Sequence, residues 1–392
     1  MTQSKNIEMD VEITPKSKRL ISIDALRGFV MIIMIIDHVR ETFFLHMQVG
    51  DPVDVLTTSP ELFFTRWVSS ICAPVFIFLT GLSAWLYSQK HSKNDTAIFL
   101  LKRGMFLVLL EVTIISFLWS GKYPPDIFFL QVIWCIGLCM IALAGLIYLP
   151  RYLQIVIGAI IIAGHNLLDQ IILTSDAPLF IPWAILYQRA MIDFGGGIIA
   201  RTSYPLLPWM GVILIGYTAG SWFSKDMSKE TRAKQLMISG MALILAFIVI
   251  RALNFYGDSP WFITESTLTT FMSFISLTKY PPSLLFSLSM LGLGALLLVL
   301  FEKWENKKVT LIMSHFGAAP MFFYILHLFI LKIMYLVAFS IYGATDGQYF
   351  AFSNVSTIWV TFFLLLVPLY YPTRWFAELK QKRRDIWWLK YL

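Results

Sequence analysis

The sequence predicts an all-α, polytopic integral membrane helical bundle with about ten transmembrane helices, eleven if residues 177–190 also cross, and with both termini cytoplasmic. Three observations lead there. Hydrophobic residues fill 57% of the 392 positions and charged residues only 14%, with a mean hydropathy of +0.70, well above what a soluble domain of this length carries. Apolar stretches of about twenty residues, the length that spans ~30 Å of hydrocarbon, recur along the chain. The basic residues fall in short clusters between those stretches, so the net charge of +7 reflects topology, and a nucleic-acid partner is not expected.

In chain order, residues 1–18 are polar and mixed in charge and read as a flexible cytoplasmic tail, with residues 19–392 forming a single transmembrane domain. The first span, 21–42, is too long and too charged for a cleaved signal peptide and reads as a retained signal anchor. Further spans are expected near 66–88, 103–120, 126–148, 152–173, 206–223, 233–253, 283–301, 318–340 and 355–373. The stretch 177–190 breaks at Pro178 and Pro182 and reads as a re-entrant or interfacial segment. With the N-terminus inside, 22 of the 31 basic residues fall in cytoplasmic segments and seven outside, as the positive-inside rule requires. The external loops 46–65, 174–205 and 254–282 are long enough to build an acceptor-binding surface. Cys72, Cys135 and Cys139 lie within apolar stretches with no metal-ligand spacing, so they read as packing residues and no metal is expected. The oligomeric state stays open, a homodimer included.

The first span carries Asp24 and Arg27 near one end and Asp37 and His38 near the other. A charge in a span costs about 2.5–3.5 kcal/mol on insertion scales and usually faces a bundle interior or a watery cavity. Eleven residues separate Arg27 from His38, about three turns, which puts both on nearly one face roughly 16 Å apart. Two bland readings stand beside the functional one: Asp24 and Arg27 as a local i, i+3 pair, and Asp37 and His38 as the wet end of the helix. A carboxylate bonded to one ring nitrogen would fix the His38 tautomer; Asp37, Glu41 or a residue on another helix could supply it. In the ninth span, Tyr324 and His327 share a face, as a buried hydrogen-bonded pair or as part of a site. His165 pairs naturally with Asp169 at i+4. The chain has no phosphate-binding glycine loop of the nucleotidase kind and no zinc motif. A rival class, a proton-coupled transporter or lipid-linked carrier, would use Asp37, His38, Glu111 and Lys332.

Several stretches carry a resemblance. Arg27, ten residues, then His38 on a first span resembles the motif of transmembrane acyltransferases. SIDALRG followed by an apolar run and DH, together with PMFFYILH, YPLLPWMGVILIGYTAG (204–220) and TKYPPSLLFSLSMLGLG (278–294), resembles the heparan-alpha-glucosaminide N-acetyltransferase-like family. That resemblance implies a membrane-bound acyltransferase taking acetyl-CoA from the cytoplasm to an amino or hydroxyl group of an external sugar or glycan, in a bacterial inner membrane. It implies His38, beside Asp37, as general base or acyl carrier, with Tyr324 and His327 on the opposite wall. Arg27 and Asp24 would organise the cofactor end, and Lys102 and Arg103, next to the third span, would add phosphate contacts.

Overall fold

The computed structural model describes residues 20–47, 49–383 and 385–391, so the tail expected over 1–18 lies outside the described residues. Helix α1 (Ile21–Phe43) is followed by α2 (Pro60–Val68), which passes through a short 3-10 turn into α3 (Cys72–Ser88). Helix α4 (Lys93–Leu110), a π-helical turn (Glu111–Ile115) and α5 (Ser116–Ser120) form one rod that ends at Gly121 in the left-handed region. Then come β1 (Ile127–Leu130), α6 (Val132–Leu146), α7 (Arg151–Gly164), α8 (Phe180–Leu186), β2 (Met191–Asp193) and β3 (Ile199–Thr202). The remaining helices are α9 (Leu206–Ala219), α10 (Lys229–Leu253), α11 (Thr267–Ile275), α12 (Leu284–Lys303), α13 (Lys308–Gly317), α14 (Pro320–Tyr342) and α15 (Val355–Lys382). Local chemistry sets many of the starts. Ser59, Ser92, Ser228, Ser283 and Asn354 each accept a backbone N–H from the first turn of α2, α4, α10, α12 and α15.

Among the described residues, seven helical stretches are long and apolar enough to cross a membrane, and the chain is an integral membrane protein: Pro60–Ser88, Arg151–Leu168, Leu206–Phe223, Lys229–Leu253, Leu284–Lys303, Pro320–Tyr342 and Val355–Lys382. The other three expected spans are largely helical but differ in kind. Helix α1 has the length and carries several charges, the α4–α5 rod is interrupted by its π turn, and α6 has only 15 residues.

One expectation needs correction. The fold is not all-α: a three-stranded sheet, in the order β1-β3-β2, joins residues 127–130 to the 190–202 hairpin, with β1 parallel and β2 antiparallel to β3. Residues 127–130 are uniformly apolar, and a four-residue apolar run beside a helix carries no periodicity that separates strand from span. Over residues 177–190, read as a re-entrant or interfacial segment, the only helix is α8, whose seven residues rise about 10 Å and are too short to cross.

Helix α1 is the hub, packed by α3, α12, α13, α14 and α15. Its first turns touch α13 backbone to backbone: a Cβ on Gly28 would lie 1.8 Å from the Met313 carbonyl oxygen, and one on Gly317 1.9 Å from that of Asp24. Helices α3 and α9 cross in the same way through Gly81 and Gly216. Small residues allow such contacts, which is how helices associate where lipid removes the hydrophobic drive.

Candidate active site

His38 projects from the second half of α1 and meets His327 of α14, 289 residues later. Their ring nitrogens Nδ1 and Nε2 are 2.6 Å apart. The rings are within 10° of parallel with centroids 4.9 Å apart. That separation exceeds the N···N distance by about two ring radii, so the nitrogens face each other in the ring plane rather than across stacked faces. On its far side, His327 Nδ1 lies 2.9 Å from the Phe323 carbonyl oxygen. A carbonyl only accepts, so in neutral rings His327 carries its proton on Nδ1 and offers Nε2 as an acceptor. His38 must then donate from Nδ1, which leaves its lone pair on Nε2. His327 is fully buried and His38 nearly so.

His38 lines a cavity of about 780 Å³. The loops that line it, at 44–51, 120–131 and 189–204 together with Tyr280 and Tyr349, all belong to segments that the charge count puts on one side. An ion network braces the wall. Asp37 Oδ1 accepts from Arg40 at 3.1 Å (Nε) and 2.8 Å (Nη2), and its Oδ2 lies 3.7 Å from Lys279 Nζ. The Lys279 backbone N–H donates to Asp51 Oδ1 at 3.1 Å, and Arg66 lies 3.9 Å from the same carboxylate. Burial nevertheless pushes the Asp51 carboxyl above its ordinary value. Asp37 is therefore engaged with cations, and the partner that orients His38 is an imidazole rather than a carboxylate.

Tyr324 stands edge-on to both rings, with centroids 5.8 Å from His38 and 5.3 Å from His327. Its hydroxyl is buried and has no hydrogen-bond partner among the described residues. The structure thus brings His38, His327 and Tyr324 into one cluster, with Asp37 on the adjoining cavity wall.

At the other end of α1, Arg27 donates to Asp24 Oδ1 (2.8 Å), to the Gly317 carbonyl (3.2 Å) and to Ser83 Oγ (3.1 Å). It ties α1 to α13 and α3. Arg103 of α4 has Arg27 and Tyr391 as its charged or ionisable neighbours, whereas Lys102 is turned outward and exposed. Of the residues considered for a proton pathway, Glu111 and Lys332 bond backbone groups at helix ends. Glu111 Oε2 accepts the Trp134 N–H at 3.0 Å, at the start of α6, whose N-cap Gln131 makes no side-chain bond. Lys332 Nζ donates to the Trp119 carbonyl at 2.6 Å, at the end of α5. His165 bonds the Ile161 and Pro282 carbonyls rather than Asp169, and Asp169 is taken by Tyr187 and Asn166.

Sequence reasoning missed four cavity residues: Arg189, Arg201, Tyr204 and Tyr280. The tyrosines come from the 204–220 and 278–294 stretches, and their hydroxyls meet at 3.1 Å. Burial holds the Tyr204 hydroxyl well above its ordinary value. Their place in those two stretches is the available signal, whereas nothing in the sequence sets Arg189 and Arg201 apart from other loop cations.

No curated protein matches the chain. The family model described as heparan-alpha-glucosaminide N-acetyltransferase, catalytic, matches residues 19–257, a range that holds α1 with His38, the three strands, Arg189 and Arg201. That is more than half of the chain, which therefore belongs to the heparan-alpha-glucosaminide N-acetyltransferase catalytic family.

Proposed function

We propose that the protein transfers an acetyl group from cytoplasmic acetyl-CoA to an amino or hydroxyl group of an external sugar or glycan, with His38 Nε2 as the reacting base. The observation that carries this reading is the hydrogen-bonded chain from the Phe323 carbonyl through His327 to His38, a residue of the cavity wall. As the acceptor attacks the thioester carbonyl, Nε2 takes its proton. The tetrahedral intermediate then expels the coenzyme thiolate, which recovers that proton. His327 steadies the imidazolium by accepting from Nδ1, and the unpartnered Tyr324 hydroxyl is the donor assigned to the oxyanion. In the alternative route the same lone pair attacks the thioester and His38 carries the acetyl group. Arg27, Asp24, Arg103 and Lys102 are assigned to the coenzyme end, and Asp37 to bracing the acceptor wall. In this reading residues 19–392 make ten spans in a bacterial inner membrane, with both termini cytoplasmic.

The test is acetyl transfer by purified protein in liposomes, using radiolabelled acetyl-CoA and a panel of amino sugars and glycans. Label is expected to reach an acceptor with wild type and not with His38→Ala. Rapid denaturation near neutral pH, followed at once by removal of free label, would retain label on the protein only in the acyl-histidine route. A protein that neither binds nor consumes acetyl-CoA would sink the proposal.

A further inference from the structure

The sheet that the sequence did not announce puts two arginines on one face of the cavity. Met191 pairs with Arg201 across β2 and β3, and the Thr202 N–H donates to the Ala190 carbonyl at 2.9 Å, which carries the ladder back beyond Met191. Paired residues share a face, and Arg189 precedes the paired Met191 by two residues, which brings it close to Arg201. The two guanidinium groups are close enough for the Arg189 charge to act on Arg201. Both line the cavity that His38 lines.

These two are set apart from the other described arginines. Arg27, Arg40, Arg66, Arg151, Arg232, Arg251, Arg374 and Arg383 each bond a carboxylate, a carbonyl or a hydroxyl, and Arg103 is also engaged. The guanidinium groups of Arg189 and Arg201 have no hydrogen bond and no ion pair among the described residues; that of Arg189 only lies 5.1 Å from the centre of the Tyr280 ring. The acids nearby are spent: Asp37 on Arg40 and Lys279, Glu41 on Arg40, and Asp51 on Arg66. Partial burial and the neighbouring Arg189 charge hold the Arg201 guanidinium below its ordinary value. Two adjacent cations with unused planar donor edges match the bidentate geometry of an oxyanion.

We propose that Arg189 and Arg201 form an anion subsite that binds a carboxylate, phosphate or sulfate group carried by the acyl acceptor. This rests on the cavity being the acceptor chamber. The reacting amine or hydroxyl would sit at His38 and the anionic group at the sheet, within a space that suits a substituted mono- or disaccharide. The acyl donor also carries phosphates, so the test must separate the two sources.

The full-length protein in detergent micelles is titrated by calorimetry with glucosamine against glucosamine 6-phosphate, glucose against glucuronate, and coenzyme A. Wild type is expected to bind each anionic sugar at least tenfold more tightly than its neutral partner. Arg201→Gln and Arg189→Gln should each remove most of that preference while neutral-sugar affinity holds, and Arg201→Lys should keep part of it. In turnover, KM for the anionic acceptor should rise tenfold or more in the Gln variants, with kcat and the KM for acetyl-CoA unchanged. No preference in wild type, or a preference that survives both substitutions, overturns the inference. Loss of coenzyme A binding in the variants, with sugar binding unaffected, overturns the acceptor assignment. If wild type moves no acetyl group at all, the acyltransferase reading fails, and the binding arm still decides whether this subsite exists.

Discussion

His327 touches the reaction only through His38, which makes it a positioning residue in the scheme above. Replacing it with phenylalanine keeps a ring of similar size and removes the acceptor for the His38 Nδ1–H. The imidazole is then free to rotate or to adopt the other tautomer, so kcat should fall about 10- to 100-fold, in line with the loss of an outer-shell partner. KM for acetyl-CoA should hold, since the donor is bound elsewhere. Steady-state kinetics on His327→Phe beside His38→Ala checks this, and equal, complete loss in both would make His327 a reacting group itself. Each histidine was legible in the sequence as a candidate. Their bond was not, because it joins residues 289 positions apart on helices whose mutual rotation is set by the packing of α1 against its neighbours.

At the scale of elements, the π turn at Glu111–Ile115 shifts the face that the α4–α5 rod presents, and Glu111 is the first residue of that turn. Its carboxylate meets the open N–H groups of α6, where the helix dipole favours negative charge. Loss of such a cap costs about 0.5–2 kcal/mol, so Glu111→Ala should lower the melting temperature in micelles while Glu111→Gln, which still accepts the N–H, should recover much of it. A proton-carrying Glu111 would give the opposite pattern: Gln would abolish transport and leave stability nearly unchanged. The sheet belongs to this scale as well. Its strands have three or four residues each, too few for alternation to stand out, and the parallel β1–β3 pairing bridges some seventy positions. The segment 174–205 was legible as a connection between spans, and its strand register was not.

For the whole molecule, a ten-span arrangement with cytoplasmic termini makes a direct prediction. Cys72, Cys135 and Cys139 are buried and free, so single introduced cysteines can be read against a quiet background. Phe194→Cys, at an exposed position beside the hairpin tip, should react with an impermeant maleimide added outside intact cells, and Asp226→Cys only after lysis. The reverse result would invert the topology and put the cavity in the cytoplasm. Composition and hydropathy determined that this chain lives in a membrane, because transfer free energy adds up over local stretches of sequence. Motifs on α1 determined where to look for chemistry, because buried charge is too costly to be idle. Tertiary structure alone decided that His38 answers to His327, that Asp37 answers to Arg40 and Lys279, and that two arginines of one hairpin face the same space. Those are contacts between distant segments, and their geometry depends on how every helix between them packs.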